Sequence, residues 1–573
     1  TASNEPSSSP GEGIPTIFSN PSYDSALQIK GRFGGELVTR GNYTLIGLPD
    51  ADLKDSANDP NPRTDAGYAV LYNGSTIIWE GNQAENDGYK QDYMGFGRGL
   101  ALSDSFAFIN AKRETAGAVD TVYTFALNDP YNVIDSIPEP SGQMGTTFGQ
   151  QMQSAGRYLA ISAFRYDSND GAENEVIDVG RAYMYKASST GASDYSTPYH
   201  IFKNPNADAR YAQDSAKYNW FARDISVSSN GNVVIGATGV GATASSSGIG
   251  KVYRYLPYYA DIPGATEYDY AISDSINGNL HIPNPGTLAN FGRTVEINNN
   301  KDIFVASTET DYGRASEGAV YVFDSTNTLQ YRLANPFPNV GYGARFGLDI
   351  DINETFAAVC SRFYIDSDAA DTTGSGGKGR VYIYNIATGE RLKELENPNN
   401  FGDSAGDEFG AGVMLEDDGT LLVGAIGEDV DSAGQDAGVV YRYGAATNAV
   451  DSANFNGIVS ANWFNDSGVS IVIDGRYGGT RDKLTSLNLD DQFSTPASKI
   501  FVSTVDGPTT RTAVDSSGGG FRQTITIPLK TTNPQSRDRW SGRITDVNGN
   551  NGSNGLEGTF ATNTHVTTTP IDF

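Results

Sequence analysis

Phe291-Gly-Arg-Thr-Val-Glu-Ile, Asp302-Ile-Phe-Val-Ala, Gly318-Ala-Val-Tyr-Val-Phe and Leu329-Gln-Tyr-Arg-Leu succeed one another in a single stretch of the chain. Each piece is short, rich in β-branched and aromatic residues, and bounded by Asn, Asp, Gly or Ser, which is how a strand between tight turns reads. Four such strands in succession make one antiparallel unit, the size of a propeller blade. In the third piece the period-two alternation puts the aromatic residues on one face, where they can pack against a neighbouring unit.

The opening Phe-Gly pair recurs at Phe33, Phe96, Phe148, Phe346 and Phe409, with Phe221-Ala222 filling the one gap, so that the chain carries seven marks. The first and last lie 376 residues apart, about 63 per interval. That exceeds the ~40 to 50 residues usual for a blade and leaves room for long loops. The third strand recurs as Gly67-Tyr-Ala-Val-Leu-Tyr, Val122-Tyr-Thr-Phe, Gly180-Arg-Ala-Tyr-Met-Tyr, Gly250-Lys-Val-Tyr-Arg-Tyr, Gly379-Arg-Val-Tyr-Ile-Tyr and Gly438-Val-Val-Tyr-Arg-Tyr. The fourth tends to end in Asn-Pro, as in Ile201-Phe-Lys-Asn-Pro, Leu333-Ala-Asn-Pro and Leu395-Glu-Asn-Pro. Thr16-Ile-Phe-Ser-Asn-Pro repeats that phrase before the first mark, whereas the seventh unit, after Tyr443, lacks a fourth strand of this type. The expectation is a seven-bladed β-propeller whose last blade is completed by the N-terminal strand, so that the array closes without an open sheet edge.

These residues resemble the FG-GAP repeat of the integrin-α-like propellers, over roughly residues 15–445. Phe409-Gly-Ala-Gly-Val, Leu422-Val-Gly-Ala and Asp436-Ala-Gly-Val-Val-Tyr form the closest copy, and Val234-Ile-Gly-Ala keeps the second-strand signature. Blades two and six depart most, with Phe106-Ala-Phe-Ile-Asn and Ala358-Val-Cys-Ser-Arg at that position. The resemblance is specific for fold and not for function, since propellers host enzymes, adhesins and scaffolds alike.

Residues 1–14, rich in Ser, Pro and Glu, read as a flexible tail rather than a signal peptide. The propeller spans 15–445. Residues 446–573 have a different composition, with strands expected at Gly468-Val-Ser-Ile-Val-Ile, Lys499-Ile-Phe-Val-Ser and Gln523-Thr-Ile-Thr-Ile-Pro-Leu, and read as a small antiparallel β-sandwich or barrel. The whole chain is therefore all-β.

With 40 basic against 69 acidic residues the net charge is −29, which repels a phosphate backbone and an anionic surface, so neither nucleic acid nor membrane insertion is expected. No apolar run reaches the ~18 residues needed to cross a bilayer. Cys360, the only cysteine, sits in Phe356-Ala-Ala-Val-Cys and reads as a small buried thiol rather than a nucleophile. His200, His281 and His565 fall in no catalytic or metal-ligand motif, and there is no H-E-x-x-H, nucleophile elbow or P-loop; no enzymatic role and no resident cofactor are expected.

The FG-GAP resemblance implies a test for calcium, because integrin-like members carry a D-x-[DN]-x-D-G loop between the first and second strands of a blade. The corresponding connections here, Asn298-Asn-Asn-Lys-Asp, Ile352-Asn-Glu-Thr, Ser229-Asn-Gly-Asn and Asp417-Asp-Gly-Thr, are incomplete and read as two-residue hairpin turns. The longer loops between strands two and three are acidic. Asp50 and Asp52 in blade one, Asp366 and Asp368 in blade six, and Asp429 and Asp431 in blade seven could hold Ca2+. The competing reading, an acidic solvated loop whose Asp residues cap turns, is preferred because the spacing is not fixed. For binding, the candidates are Tyr258, Tyr259, Tyr268 and Tyr270, placed in a long blade-four loop, 257–271, as rigid amphipathic surface; the alternative is that they cover the outer surface of the ring.

Aspartate-rich, histidine-poor repeats of this style resemble virion proteins of marine bacteriophages. That resemblance implies a non-enzymatic structural or attachment protein on a virion surface, a fibre, tail or capsid-decorating component, contacting other virion or cell-surface proteins or a host glycan or receptor. Analogy with fibres allows a homo-oligomer. The alternative is a secreted bacterial adhesin or carbohydrate-active enzyme.

Overall fold

The structure is a computed structural model. It describes residues 10–11 and 15–444, apart from 22–27, 30–31, 55–60, 89–90, 114–117, 168–177, 188–194, 196, 206–218, 241–247, 260–267, 283–288, 310–315, 337–342, 365–376, 399–405 and 430–436, and beyond 455 the backbone of the strands. The expected tail, 1–14, falls almost wholly outside the described residues. The chain divides into two compact units, one built from Thr16–Asp417 and Leu421–Arg442, the other containing Tyr443–Phe573.

Seven four-stranded antiparallel sheets make up the first unit. Blade one is Glu36–Arg40, Tyr43–Leu48, Tyr68–Asn73 and Thr76–Gly81, and blades two to six repeat the same up-and-down order. Blade seven takes Phe409–Leu415, Leu421–Ala425 and Val439–Tyr443 from the end of the repeat and Thr16–Ser19 from its start, paired as Thr16 with Arg442 through Ser19 with Val439. The first strand of each blade lies against the first strand of the next, and that of blade seven against that of blade one, which closes a ring.

The repeated phrases make the joints between blades. At six of the seven joints the Phe N–H of one blade donates to the residue just before the third-strand glycine of the preceding blade: Phe96 to the Ala66 carbonyl (3.1 Å), Phe221 to Val179 (3.4 Å), Phe291 to Ile249 (2.9 Å), Phe346 to Glu317 (3.0 Å), Phe409 to Lys378 (3.0 Å) and, across the closure, Phe33 to Ala437 (3.1 Å). The glycine is needed because the two backbones touch; a Cβ at Gly250 would stand 2.0 Å from the Phe291 carbonyl oxygen. In blade two the equivalent position is Asp120, and there the Phe148 N–H donates to the Asp120 carboxylate instead (3.1 Å). The Phe ring then packs on the third-strand tyrosine of its own blade, with centroids 5.6 Å apart for Phe148–Tyr183, Phe221–Tyr253 and Phe291–Tyr321. Both partners are fully buried, so the core is a series of apolar slabs between adjacent blades rather than one central mass.

Two of the expected hairpin turns are longer than the sequence suggested. The Asn353 N–H donates to the Phe356 carbonyl across a two-residue turn (3.0 Å), but Ser228 reaches Asn232 (2.9 Å) and Asn298 reaches Asp302 (3.3 Å) across three. The third residue takes a left-handed φ, +81° at Gly231 and +68° at Lys301, the geometry of a turn followed by a bulge.

The second unit is also antiparallel. One sheet orders Thr510–Val514, Gly520–Pro528, Gly468–Arg476, Asn456–Phe464 and Ile571–Asp572, the other Leu484–Asp490, Arg539–Asp546 and Leu556–Thr559. The strand expected at 499–503 lies outside the described residues.

Candidate functional site: the axial channel

Alternation along the first strands sends the residue after Phe-Gly-x, and the one two further on, toward the ring axis, while the residue between them enters the blade. Ile225, Val295, Ile350 and Val413 are buried in this intervening position. The axial positions line a cavity of about 280 Å³ in which five carboxyl groups face inward: Glu36, Asp224, Glu296, Asp349 and Asp351.

A first strand has a neighbour in its own sheet on one side only, so its other edge offers unpaired N–H groups to the channel. Side chains from the preceding blade take them. The Val295 N–H donates to Asp224 (2.8 Å), the Val413 N–H to Asp349 (2.7 Å) and the Leu415 N–H to Asp351 (2.5 Å). The Ile297 N–H donates to Ser226 Oγ (3.1 Å) and the Val227 N–H to Gln153 Oε1 (2.5 Å). Glu296 accepts from Ser226 Oγ (2.7 Å) and Gln153 Nε2 (2.9 Å), joining three blades. These carboxylates therefore lace the inner wall of the ring together.

Surrounding protein makes their charge costly. Burial pushes Glu36 up to about 8, Asp349 to about 7, Asp351 to about 8 and Asp224 to about 6, against the pull of amide donors and nearby arginines, and it raises Glu296 well above the carboxylate range. A carboxyl that holds its proton more tightly folded than unfolded adds a bound proton on folding between roughly pH 4 and its native value. That contribution is complete on the acid side and is lost as pH rises through about 6 to 8. Stability is accordingly expected to fall by about 1–3 kcal/mol between about pH 5.5 and 8.5 in urea titrations, and Glu36→Gln, which removes a titrating group with no hydrogen-bond partner among the described residues, should flatten the slope. A flat or rising profile, or an unchanged slope in the variant, refutes this.

Arginines crowd the end of the channel where the Phe-Gly turns lie. Arg98 pairs with Asp50 (2.9 Å), Arg345 with Glu309 (3.0 Å) and Arg362 with Glu408 (2.6 Å). Arg223 and Arg293 occupy the repeat position of Arg98 in blades four and five. Burial, together with the positive charge of neighbouring arginines, lowers Arg223 to about 9 and also lowers Arg293.

Of the acidic candidates read from sequence, Asp50 is engaged by Arg98 and Arg32, and Asp52 is buried and accepts the Asp65 N–H (2.9 Å), closing its own loop. Asp429 is half-buried at the end of the second-strand loop of blade seven. Asp366, Asp368 and Asp431 lie outside the described residues. Among the described residues no three acidic, histidine or cysteine side chains converge as a metal site. The four tyrosines do not sit in a loop. Tyr258 and Tyr259 continue the third strand of blade four, Lys251–Tyr259, and Tyr268 and Tyr270 begin the fourth, Tyr268–Asn277, so that Tyr259 pairs with Tyr268 and Pro257 with Tyr270. The cross-strand ladder extends into the segment expected as the loop 257–271, with Pro257 paired to Tyr270, since a proline is tolerated where its N–H is not needed. Cys360 is a buried free thiol pushed up to about 12 by burial and Asp349, as an inert packing residue should be. The channel carboxylates and arginines were not singled out from the sequence. Their signal was present as a polar residue two places after the Phe-Gly marks, at Glu36, Gln151, Asp224, Thr294 and Asp349.

Fold and channel together define a β-propeller of seven blades with a polar axis. No family model and no curated protein matches the sequence. Among solved structures, the chain is similar to the β-propeller domain of Cps50 (Swd1) from Myceliophteria thermophila, at 9% identity and a TM-score of 0.39, covering 73% of this chain and 98% of that one. It is also similar to the β-propeller domain of the trilobed protease from Pyrococcus furiosus, at 9% identity and a TM-score of 0.32, covering 70% and 91%.

Proposed function

We propose that the chain is a non-enzymatic structural or attachment protein displayed on a particle surface, an FG-GAP-like propeller serving as a virion component that contacts a host or neighbouring virion surface. The observation that carries this reading is the place where the backbone enters and leaves the ring. Thr16 lies opposite Arg442, so the chain enters and leaves the ring at one edge of blade seven. A module held by the chain at a single point is suited to display from a larger assembly. The commitment of Asp224, Glu296, Asp349 and Asp351 to interblade hydrogen bonds supports a scaffold role for the channel wall rather than acid–base work. The decisive experiment tracks the protein through density-gradient sedimentation of its source. Co-migration with intact, DNA-containing particles is the expected result; recovery only as free protein in the medium, with sugar-cleaving activity, overturns it in favour of a secreted carbohydrate-active enzyme.

A further inference from the structure

We propose that the ring is built from a stiff arc, blades three to seven, and a compliant arc, blades one and two, which parts from its neighbours first when the ring opens. This goes beyond the attachment reading and does not depend on it. On the stiff side every joint carries a side-chain bond along the inner wall. Gln153 reaches from blade three to the Val227 N–H, and Asp224 and Ser226 from blade four to those of Val295 and Ile297. Thr294 Oγ1 of blade five donates to the Leu348 carbonyl (2.8 Å), and Asp349 and Asp351 of blade six take the N–H groups of Val413 and Leu415.

The next three joints have no such bond among the described residues, and residue identity explains why. The two axial positions are Gly412 and Met414 in blade seven, Glu36 and Val38 in blade one, and Gly99 and Ala101 in blade two. Gly, Val and Ala side chains carry no acceptor, and the Met thioether is a weak one. Glu36 lines the cavity and makes no hydrogen bond among the described residues. The N–H groups of Leu37, Thr39, Leu100, Leu102, Met152 and Ser154, at the repeat positions of Val295 and Ile297, therefore receive no side-chain bond from the preceding blade.

The gap begins at the seam. Blades seven and one are linked only away from the inner wall: by the Phe33 N–H to Ala437 at the Phe-Gly end, by the Gly41 N–H to Glu416 at the exposed hairpin (3.0 Å), and by Phe18 on Tyr72 at the rim. Blades one and two share the ion pairs Arg40–Asp104 (2.8 Å) and Arg98–Asp50, whose solvent exposure makes them weak. Asn110 and Asp120 reach blade three only at its Phe-Gly turn. Apolar slabs fill joints on both arcs, so the wall bonds are what distinguishes them, and a joint with fewer bonds opens at lower free energy.

Residue-resolved hydrogen exchange of the full chain at neutral pH tests this, because the Phe N–H at each mark bridges two blades and exchanges when its joint opens. Protection factors of Phe33, Phe96 and Phe148 are expected at least tenfold below those of Phe291, Phe346 and Phe409. Met414→Gln is nearly isosteric and repeats the Gln153 solution; it should supply the missing bond to Thr39 and raise protection at Phe33 at least threefold, with Phe291 unchanged. Thr294→Val removes the wall bond between blades five and six and should lower protection at Phe346 at least threefold, with Phe33 unchanged. Equal protection on the two arcs, or failure of either variant to move its own joint, overturns the proposal.

Discussion

Deletion of residues 1–19 is expected to cost the ring more than about 5 kcal/mol, or to leave it aggregated, because two losses combine. Phe18 is only 4% exposed and packs edge-on against Tyr72 of blade one at 4.8 Å, and truncating such a buried Phe alone costs about 3–5 kcal/mol. The strand Thr16–Ser19 also covers the outer edge of Val439–Tyr443, and without it those backbone groups become an open template for another chain. Urea unfolding and size-exclusion chromatography of the deleted protein measure the effect. Phe18→Ala isolates the packing share, and a peptide spanning residues 16–21 added in trans should restore part of the loss by strand addition. A deletion protein that stays monomeric and unfolds at the parental midpoint would show that the closure lies elsewhere.

Gly250→Ala is the second large effect, with a built-in control. A methyl group at Gly250 falls 2.0 Å from the Phe291 carbonyl oxygen and 2.7 Å from its N–H nitrogen, on a backbone at φ +96°. The nitrogen is the donor of the joint hydrogen bond to Ile249, so the clash cannot be relieved by moving the Phe291 backbone without disturbing that bond. The expected loss is above about 4 kcal/mol, in the range reserved for changes that break a buried backbone contact. Gly74 also has a left-handed φ, +60°, but nothing lies within 4 Å of the added carbon. Gly74→Ala should therefore cost only the ~1–2 kcal/mol of the conformation itself. Equal losses for the two would mean that backbone strain, and not the contact between blades, requires the glycine.

Ala222 shows how a repeat can tolerate an exception. It occupies the glycine position of the Phe-Gly mark at φ +64°, where a methyl is accommodated despite the demanding conformation. Asp120 is the complementary case, a side chain standing where other blades have a glycine and doing with its carboxylate what a carbonyl does elsewhere. Both were visible in the sequence only as gaps in a pattern.

The number of blades, their four-strand order and the borrowed N-terminal strand were legible without coordinates, because each depends on local alternation and on phrases repeated in register. Every copy of Phe-Gly and Gly-x-x-Tyr answers the same steric demand at the same joint, so repetition carries the information. The channel was not legible in that way. Glu36, Asp224 and Asp349 occur at one repeat position but meet only when seven first strands come round to a common axis, and whether a carboxylate there is solvated or buried depends on the other six blades. The same holds for Asp50, whose loop alone left calcium binding and turn capping both open and which is an ion-pair partner of Arg98 from the next blade. Local pattern determined the ring; charge state and partner choice were decided by closure, since burial and long-range pairing are properties of the assembled ring and not of any one blade.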